Sequence, residues 1–395
     1  MNIAIVHMYP FPVGMAATAR IMAYSKGLVA NGANVTSYCL NPYYKKGGKV
    51  QLEKNGTYEG VNYSFTGSVY KANNPFVHKI QVLISIFNSL FILLKRRKDT
   101  DFLIISSDSP LYLPLYTLWA KLIGVRPVFI TDEYPIPIRV HLKKDIPAWK
   151  KKMYKYVLKR QDSLIFMTEK LSTFYNSELK KPYHILPTIT DTSRFDIEVE
   201  PADKKYMCYM GNMELSKDNV DNIIRAFAMI SHKHPDLDFY LYGAPSPKDK
   251  AIIEGVIKEC KMENRVFIKG RVAATEVPAI LKKAYLLVSS QPNTKRAEGG
   301  FPTKLGEYMA TGIPTILTDV GEISQYVKDG VHVHIVPPED PQVYAKKLDW
   351  MLNNYDKSLE IAKNAKDYLY NTFDYNIVSS NLYDFFKKRM SEDLK

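Results

Sequence analysis

Residues Asn2 to Leu40, NIAIVHMYPFPVGMAATARIMAYSKGLVANGANVTSYCL, decide the fold class of this protein. A strand-like run, NIAIVH, is followed by a loop rich in Pro and Gly, a helix-like pattern from Ala16, and a second strand-like run from Asn34. Strands that alternate with helices in this way form parallel sheets with helices on both faces. The opening therefore predicts a β-α-β unit of an α/β protein.

The same alternation continues along the chain, with one break. Strand-like runs begin at residues 101, 127 and 163, and six more begin at residues 206, 238, 265, 285, 314 and 332, after the polar segment Thr188 to Lys205. A chain of 395 residues is long enough for two domains. We predict two doubly wound Rossmann-like domains that face each other across a cleft, residues 1–195 and 205–370. The last segment, 371–395, is predicted to form a helix that packs back toward the N-terminal domain.

Composition is typical of a folded soluble protein, with 46% hydrophobic and 24% charged residues. The three cysteines lie far apart and the N-terminus resembles a strand rather than a secretory leader, which together predict a cytoplasmic protein with no disulfide framework. The longest apolar run, Ile80 to Leu94, is shorter than the roughly 20 residues that span a bilayer. We interpret this run as a core helix.

Charge is unevenly distributed along the chain. The net charge is +13, and residues 1–195 contain 27 Lys and Arg against 12 Asp and Glu, a net of +15. The densest basic segment is His141 to Arg160. It is compatible with a solvated helix face, with a surface for anionic lipid headgroups or a lipid diphosphate, or with nucleic acid. No nucleic-acid-binding motif supports the last, so we expect no nucleic-acid partner. The solvated face and the lipid surface both stay open, and the lipid surface corresponds to a peripheral position at the inner face of the plasma membrane.

The stretch Arg296 to Pro314, RAEGGFPTKLGEYMATGIP, predicts a tight glycine turn into a helix. Pro302 suits the first helical turn, and Gly312 followed by Pro314 suits the end. The unpaired N–H groups of such a helix start attract phosphate. Glu307, one turn into the helix, offers a carboxylate that can accept hydrogen bonds from two ribose hydroxyls. The alternative is a plain glycine turn with solvated charges.

This stretch resembles the donor-binding signature of retaining glycosyltransferases of the GT-B fold, in particular glycosyltransferase family 4, the glycosyl transferases group 1. The resemblance extends over nearly the whole chain, through YMGNMELSKDNVDNIIRAF, RVFIKGRVAATEVPAILKKAYLLVSS and HILPTITDTSRF. It implies a metal-independent, hexosyltransferase-type enzyme without a cofactor. Such an enzyme moves a sugar from a nucleotide-diphosphate sugar to an acceptor with retention of configuration. The acceptor we expect is a lipid-linked or growing cell-surface polysaccharide of the cell envelope.

The resemblance also implies roles for individual residues. Family members carry a Glu-x7-Glu pattern, in which the first glutamate contacts the sugar and the second holds the ribose. Glu307 matches the second, whereas Glu298 lies one residue too far away. Either Glu298 still reaches the sugar, which we favour, or N–H groups around Gly300 and Phe301 make that contact. The other donor-site residues implied are Gly299, Pro302, Thr303, Lys304 and Leu305.

Charged residues for the diphosphate and the acceptor follow from other blocks. Asn212 stands where the family has an arginine, so Lys217, five residues later, is the principal cation for the leaving diphosphate. Lys304 or Arg296 could supply a second cation. In the N-terminal domain, N–H groups after Gly14 are predicted to face the diphosphate. Asp132 is predicted to contact the acceptor, although a turn stabilised by its side chain is equally compatible.

Two other functions stay open at this stage. The eight histidines and three cysteines show no metal-ligand spacing, and no Walker loop, nucleophile elbow or G-x-G-x-x-G motif is present. A nucleotide-sugar epimerase shares the predicted architecture but needs acid and base side chains that the loops do not offer. A non-catalytic protein that binds nucleotide sugars or lipids is the second alternative.

Overall fold

The computed structural model describes residues 1–48, 51–141, 143 and 145–392. The chain divides into two compact units, Met1–Ile189 with Tyr375–Lys395, and Thr190–Asp374, called unit 1 and unit 2 below. Each unit has one largely parallel sheet with helices, as the alternating pattern of the sequence predicts. The boundary differs from the expected one, because residues 190–195 lie in unit 2 rather than in the first domain.

Unit 1 contains an eight-stranded sheet in the order β3-β4-β2-β1-β5-β6-β7-β8. All neighbouring strands are parallel except β3 and β4, which form an antiparallel pair at one edge that the sequence analysis does not predict. The strands are β1 Asn2–His7, β2 Asn34–Cys39, β3 Asn55–Tyr58, β4 Val61–Phe65, β5 Phe102–Ser106, β6 Arg126–Thr131, β7 Ser163–Phe166 and β8 Tyr183–Ile185.

Helices cover both faces of this sheet. They are α1 Ala16–Ala30, α2 Pro75–Lys95, α3 Tyr112–Ile123, α4 Ile136–Arg139, α5 Ala148–Leu158 and α6 Glu169–Asn176, with the last helix of the chain, Tyr375–Glu392, also in unit 1. Helices α2, α3 and α5 connect strands that follow one another toward the β8 edge of the sheet, whereas α1 connects β1 to β2, toward the β3 edge. Because such connections are right-handed, α1 lies on the face opposite to α2, α3 and α5. The last helix packs on α1.

Helix α2 is not the core helix that the sequence analysis expects, and that prediction is wrong. Its buried residues are Ser85, Ile86, Ser89 and Leu93, while most of its large apolar side chains are exposed. The length of an apolar run indicates how hydrophobic a helix is, but it does not show which side of the helix faces the sheet. Among the described residues, α2 is the one helix that is long and apolar enough to cross a membrane by length and composition.

Unit 2 contains a six-stranded parallel sheet in the order β11-β10-β9-β12-β13-β14. Its strands are β9 Lys205–Met210, β10 Leu237–Tyr242, β11 Val266–Gly270, β12 Leu286–Val288, β13 Thr315–Thr318 and β14 His334–Val336. Its helices are α7 Val220–Ile230, α8 Pro247–Glu259, α9 Val277–Lys282, α10 Lys295–Gly299, α11 Thr303–Thr311, α12 Ile323–Tyr326, α13 Pro341–Asn353 and α14 Tyr355–Thr372, and the helix Tyr375–Glu392 of unit 1 follows as α15. The strand order is that of a dinucleotide-binding Rossmann sheet.

The core of unit 2 lies between the sheet and helices α7, α8 and α13. Its buried side chains include Met207, Phe227, Leu241, Ile316 and Leu348. The polar segment before β9, where the sequence analysis finds the break in the alternation, also packs on this unit: Phe195 is buried and Thr192 donates a hydrogen bond to Asp374. The apolar Phe195 and the paired Thr192 explain why the segment is ordered despite its polar composition.

Candidate active site

The candidate donor site of unit 2 lies at the point where the strand order changes direction. The chain passes from β9 to β10 and β11 on one side, then returns to β12 on the other side of β9. Ligands of open α/β sheets bind beyond the carboxyl ends of the strands at such a point. The donor-site residues predicted in unit 2 lie in the loop after β9, in α10, in α11 or in the three residues between these two helices.

Backbone contacts fix the loop after β9. Gly211 donates an N–H to the carbonyl of Tyr242 at 2.9 Å, and Gly243 donates to Gly270 at 2.8 Å. Gly243 has φ +138°, and a Cβ there would lie 1.7 Å from the carbonyl oxygen of Gly211. The ends of β9, β10 and β11 are therefore tied together, and the glycine at 243 is required.

Tyr308 anchors α11 to the two strands that flank this point. Its hydroxyl accepts the N–H of Met210 at 2.9 Å and lies 3.5 Å from the carbonyl of Val288. Burial raises the pKa of Tyr308 well above its ordinary value, so the hydroxyl stays a neutral donor and acceptor. The start of α11 is thereby held at the carboxyl ends of β9 and β12.

Helix α11 begins at Thr303, one residue after the predicted first-turn residue Pro302, and its predicted end at Gly312 is confirmed. Pro302 is the N-cap, and within the described part of the chain no side chain caps the helix start. Gly312 ends the helix in the left-handed conformation at φ +71°. The uncapped N–H groups of a helix start are the groups that attract a phosphate.

Lys304 is mostly buried and forms an ion pair with Asp218 of the loop after β9. Its ammonium group contacts a carboxylate oxygen of Asp218 and lies 3.2 Å from the hydroxyl of Tyr209. Burial lowers the pKa of Lys304, Asp218 opposes that shift, and the nearby charge of Lys217 adds to it. The structure thus brings the two predicted cations together, but Asp218 neutralises one of them.

The other predicted donor-site residues differ in conformation and exposure. Gly299 closes the short helix α10, and Gly300 is its extended C-cap, so the tight glycine turn of the prediction is instead a one-turn helix followed by an extended residue. Phe301 is buried against Tyr326, with ring centroids 5.2 Å apart. The other predicted residues differ in exposure: Leu305 is buried, whereas Asn212 and Thr303 are exposed.

Arg296 links α10 to the loop after β9. Its guanidinium lies 2.6 Å from a carboxylate oxygen of Glu214, and the same oxygen accepts a hydrogen bond from Ser216 at 2.8 Å. The Arg296 side chain is mostly buried in this contact. Arg296 therefore holds α10 against the loop after β9, and its role as a second diphosphate cation stays a prediction.

Glu298 lies on α10 and pairs with its own helix. A carboxylate oxygen lies 2.7 Å from the ammonium group of Lys295, and both side chains are exposed. Exposed ion pairs of this kind contribute at most about 1 kcal/mol. Glu298 can thus exchange Lys295 for another partner at little cost, and its contact with a sugar stays a prediction.

Glu307 is paired with an arginine that the sequence analysis gives no role. Arg194, from the 3-10 helix Thr192–Phe195, donates to Glu307 at 2.9 Å and to the carbonyl of Ala274 at 2.9 Å. Both partners are partly exposed. The quoted block HILPTITDTSRF contains Arg194, but a separation of 113 residues hides the contact from any local pattern.

Unit 1 places Gly14 and Asp132 at the carboxyl edge of its own sheet, in the loops after β1 and β6. A Cβ at Gly14 would lie 2.1 Å from the hydroxyl oxygen of Thr18, so close packing is one reason for the glycine. Asp132 accepts a hydrogen bond from Arg20 at 2.9 Å, and Arg20 also donates to the carbonyls of Leu186 and Pro187. Arg20 thus holds Asp132 in one orientation.

A second charged cluster lies next to these residues. Arg139 contacts Glu133 at 2.8 Å and Asp108 at 3.6 Å. Burial raises the pKa of Tyr9 to about 12, and the carboxylates of Asp132, Asp108 and Glu133 add to that shift. The hydroxyl of Tyr9 therefore stays protonated at neutral pH.

Lys150 belongs to the same cluster rather than to the surface. The side chain is buried, and burial lowers its pKa while the charge of Asp108 raises it. Lys150 lies within the basic segment His141 to Arg160, but it does not contribute to an exposed cationic surface. On α5 it is Lys151, Lys152 and Lys155 that are exposed.

No metal centre accompanies these groups in the described ranges. Over residues 1–48, 51–141, 143 and 145–392, no group of three or more His, Cys, Asp and Glu side chains has an arrangement that could hold an ion. The charges at the two candidate sites are those of Lys, Arg, Asp and Glu side chains.

Comparison with known proteins identifies part of the chain. Residues 191–368 match the family model of Glycosyl transferases group 1. This segment, which makes up most of unit 2, is therefore a glycosyltransferase group 1 domain. The chain is also 22% identical over 188 residues to the uncharacterized glycosyltransferase MJ1607 of Methanocaldococcus jannaschii, a match that covers 48% of this chain and spans 46% of that relative's length.

Solved structures resemble nearly the whole chain. A sucrose-phosphate synthase from Thermosynechococcus elongatus is 14% identical, with a TM-score of 0.74 over 99% of each chain. A glycosyltransferase from Rickettsia africae is 16% identical, with a TM-score of 0.71 over 98% of each chain. Anabaena HepE in complex with UDP and glucose is 14% identical, with a TM-score of 0.71 over 98% of this chain and all of that one. At these identities the likeness shows the fold, which is that of GT-B glycosyltransferases.

Proposed function

We propose that this protein is a glycosyltransferase that moves a sugar from a nucleotide-diphosphate sugar to a saccharide or lipid-linked acceptor. One observation carries the proposal. The uncapped start of α11 and Glu307 on the same helix lie at the switch point of the domain that matches the glycosyl transferases group 1 model, and Lys217, in the loop after β9, is near enough for its charge to act on Lys304 of α11. The complex of Anabaena HepE with UDP and glucose supports a nucleotide sugar as the donor.

The proposed chemistry follows from the charge that develops on the leaving diphosphate. N–H groups at the start of α11 and the ammonium group of Lys217 stabilise that charge. Glu307, held in position by Arg194, accepts hydrogen bonds from the ribose hydroxyls. We place the enzyme in glycosyltransferase family 4 as a hexosyltransferase that retains anomeric configuration and needs neither metal ion nor cofactor, because N–H groups and Lys217 meet the diphosphate charge.

Unit 1 supplies the acceptor side of the proposal. Asp132, oriented by Arg20, and the protonated hydroxyl of Tyr9 are polar groups that suit saccharide hydroxyls. We assign the acceptor to a growing cell-surface polysaccharide of the cell envelope. The net charge of +15 in residues 1–195 supports a cytoplasmic protein that associates peripherally with the inner face of the plasma membrane.

The test has two steps. Thermal shift first identifies which nucleotide sugars of a panel bind the protein, and sugar transfer from those donors is then measured. Lys217→Ala should lower kcat about a hundredfold, because a group that stabilises transition-state charge is lost. Glu307→Ala should raise the KM for the donor at least about tenfold, because it removes charge-assisted hydrogen bonds. Matched controls are Lys250→Ala and Glu254→Ala on α8, an exposed pair outside the candidate site, which should leave both constants unchanged.

Three results would contradict the proposal. Transfer that survives both Lys217→Ala and Glu307→Ala would show that the assigned donor site is wrong. A new epimer without release of free nucleotide, in donor incubated without acceptor, would identify an epimerase. Donor binding in the thermal-shift assay without turnover across saccharide and lipid-linked acceptors would favour the non-catalytic binding protein.

A further inference from the structure

Helix α2 presents its apolar side to the outside of unit 1. The large residues on this side recur at helical spacing, and Phe76 and Phe87 are each 71% exposed. The buried side carries Ser85 and Ser89 beside Ile86 and Leu93. A solvent-exposed helix has the opposite polarity, with its apolar stripe against the core. The outward stripe consists of Phe76, Val77, Ile80, Leu83, Ile84, Phe87 and Phe91.

Polar contacts hold the helix in this rotational position. Asn88 donates to the carbonyl of Thr66 at 2.8 Å, and the hydroxyl of Ser89 lies 2.6 Å from that of buried Tyr116. Rolling the apolar stripe inward would break these contacts and leave Tyr116 without its hydroxyl partner. The exposed stripe is therefore a built feature of unit 1.

The neighbouring helix α3 extends the apolar surface. Leu118 is 43% and Leu122 is 76% exposed, and α3 packs beside α2 on the same face of the sheet. We call the α2 stripe together with Leu118 and Leu122 the apolar face. Exposed apolar side chains gathered on neighbouring helices mark a place where a partner or a membrane binds.

Positive charge borders the apolar face. The segment Lys95–Lys98 at the end of α2 is four consecutive exposed cations, and Lys79 and Lys121 are also exposed. The one acidic residue directly after this basic segment is Asp99. Neither α2 nor α3 contains Asp or Glu in its sequence. Apolar side chains bordered by cations complement an anionic lipid surface, where acyl chains lie beneath negative headgroups. A second copy would instead oppose one basic rim to another.

We infer that the apolar face of α2 and α3 is a docking surface for an anionic lipid bilayer, on which α2 lies flat in the interface. This inference rests on the peripheral-membrane part of the proposed function and not on sugar transfer. Contacts along the whole buried side, from Gln81 to Leu93, keep α2 on the sheet, so the helix does not cross the bilayer despite its length. The phenylalanines enter the headgroup region, and Lys95–Lys98 bind the phosphates.

The test is co-sedimentation of the full chain with vesicles of phosphatidylcholine, with and without phosphatidylglycerol. The wild type should bind the anionic vesicles, less so as salt rises. Phe76→Ser/Phe87→Ser/Phe91→Ser should lose at least about tenfold in binding, because the inserted apolar area is removed. Neutralising Lys95–Lys98 to Gln should abolish the preference for phosphatidylglycerol. The matched control, Met229→Ser/Ile252→Ser/Leu359→Ser, changes three exposed apolar residues of unit 2 and should bind like the wild type.

Several outcomes would overturn the inference. The wild type could stay in the supernatant with both kinds of vesicle, or the phenylalanine variant could sediment like the wild type. Loss of binding in Lys151→Gln/Lys152→Gln/Lys155→Gln, with the α2 variants unaffected, would move the surface to α5. The wild type could instead form a dimer in light scattering and not bind vesicles, while the phenylalanine variant is a monomer. That result would assign the apolar face to a second copy. Donor turnover is measured in parallel without vesicles. Loss of turnover would count against the proposed sugar transfer, whereas loss of vesicle binding alone would count against the docking surface.

Discussion

Gly243 shows how a single residue sets the loop geometry of the candidate donor site. We expect Gly243→Ala to destabilise unit 2 by more than about 3 kcal/mol, because the new Cβ meets the carbonyl of Gly211 and φ lies in a region that alanine avoids. Urea unfolding of unit 2, followed by hydrogen exchange of β9 and β10, measures the loss.

Gly255 offers the matched control for that substitution. It lies inside α8, and a Cβ added there would have no atom of another element within 4 Å, so an alanine meets no obstacle. Gly255→Ala should stabilise the unit by up to about 1 kcal/mol through helix propensity. Equal stability of the two variants would show that the close approach at Gly243 is relieved by a small backbone shift.

Single residues of the candidate site were predictable from the sequence only as far as local pattern extends. The helix start after Pro302 and the helix end at Gly312 depend on neighbours in the chain, and the structure has both. The partners Arg194 of Glu307 and Asp218 of Lys304 lie 113 and 86 residues away. Only the fold brings such pairs together, so the sequence alone does not show that Asp218 pairs with Lys304.

At the scale of elements, strand and helix type followed from periodicity, but orientation did not. Buried strands such as β1 and β5 are nearly continuous apolar runs, so the sequence alone locates them and shows that they are buried. Helix α2 is apolar on most sides, so its hydrophobic pattern does not determine which side is buried. Asn88 and Ser89 decide that, through partners in other elements.

The contact between α11 and the loop after β9 leads to a prediction about the buried pair Lys304–Asp218. Asp218 is 3% exposed, so Lys304→Met should cost about 3–5 kcal/mol by leaving a buried carboxylate unpaired. The double variant Lys304→Met/Asp218→Asn should cost much less than the sum of the single changes. Unfolding of all three variants completes the double-mutant cycle.

An exposed pair gives the comparison for this cycle. Lys250 and Glu254 on α8 lie four residues apart and both are about half exposed. The same cycle there should give a coupling of at most about 0.5 kcal/mol. A coupling as small for Lys304 and Asp218 would mean that water reaches the pair and that α11 is held mainly by Tyr308.

For the whole molecule, the division into two units was predictable from the repeated strand–helix alternation. The boundary was displaced because Thr192 and Phe195, in a segment of polar composition, pack on unit 2. Unit 1 is discontinuous in sequence, since α15 joins it from the end of the chain. Composition does not reveal such a return, which depends on the contacts of α15 with α1 and the sheet.

Removal of residues 375–395 tests this discontinuous organisation. The rings of Phe386 and Phe102 lie 4.7 Å apart, and Arg389 donates two hydrogen bonds to the carboxylate of Asp162. Truncation should therefore destabilise unit 1 by more than about 3 kcal/mol. Hydrogen exchange should become faster in β1 and β5 and stay unchanged in β9 and β10, because unit 2 has its own core.

Arg389→Ala, a smaller change at the same interface, should give an intermediate effect confined to unit 1. Faster exchange in both units, or in neither, would contradict the assignment of α15 to unit 1.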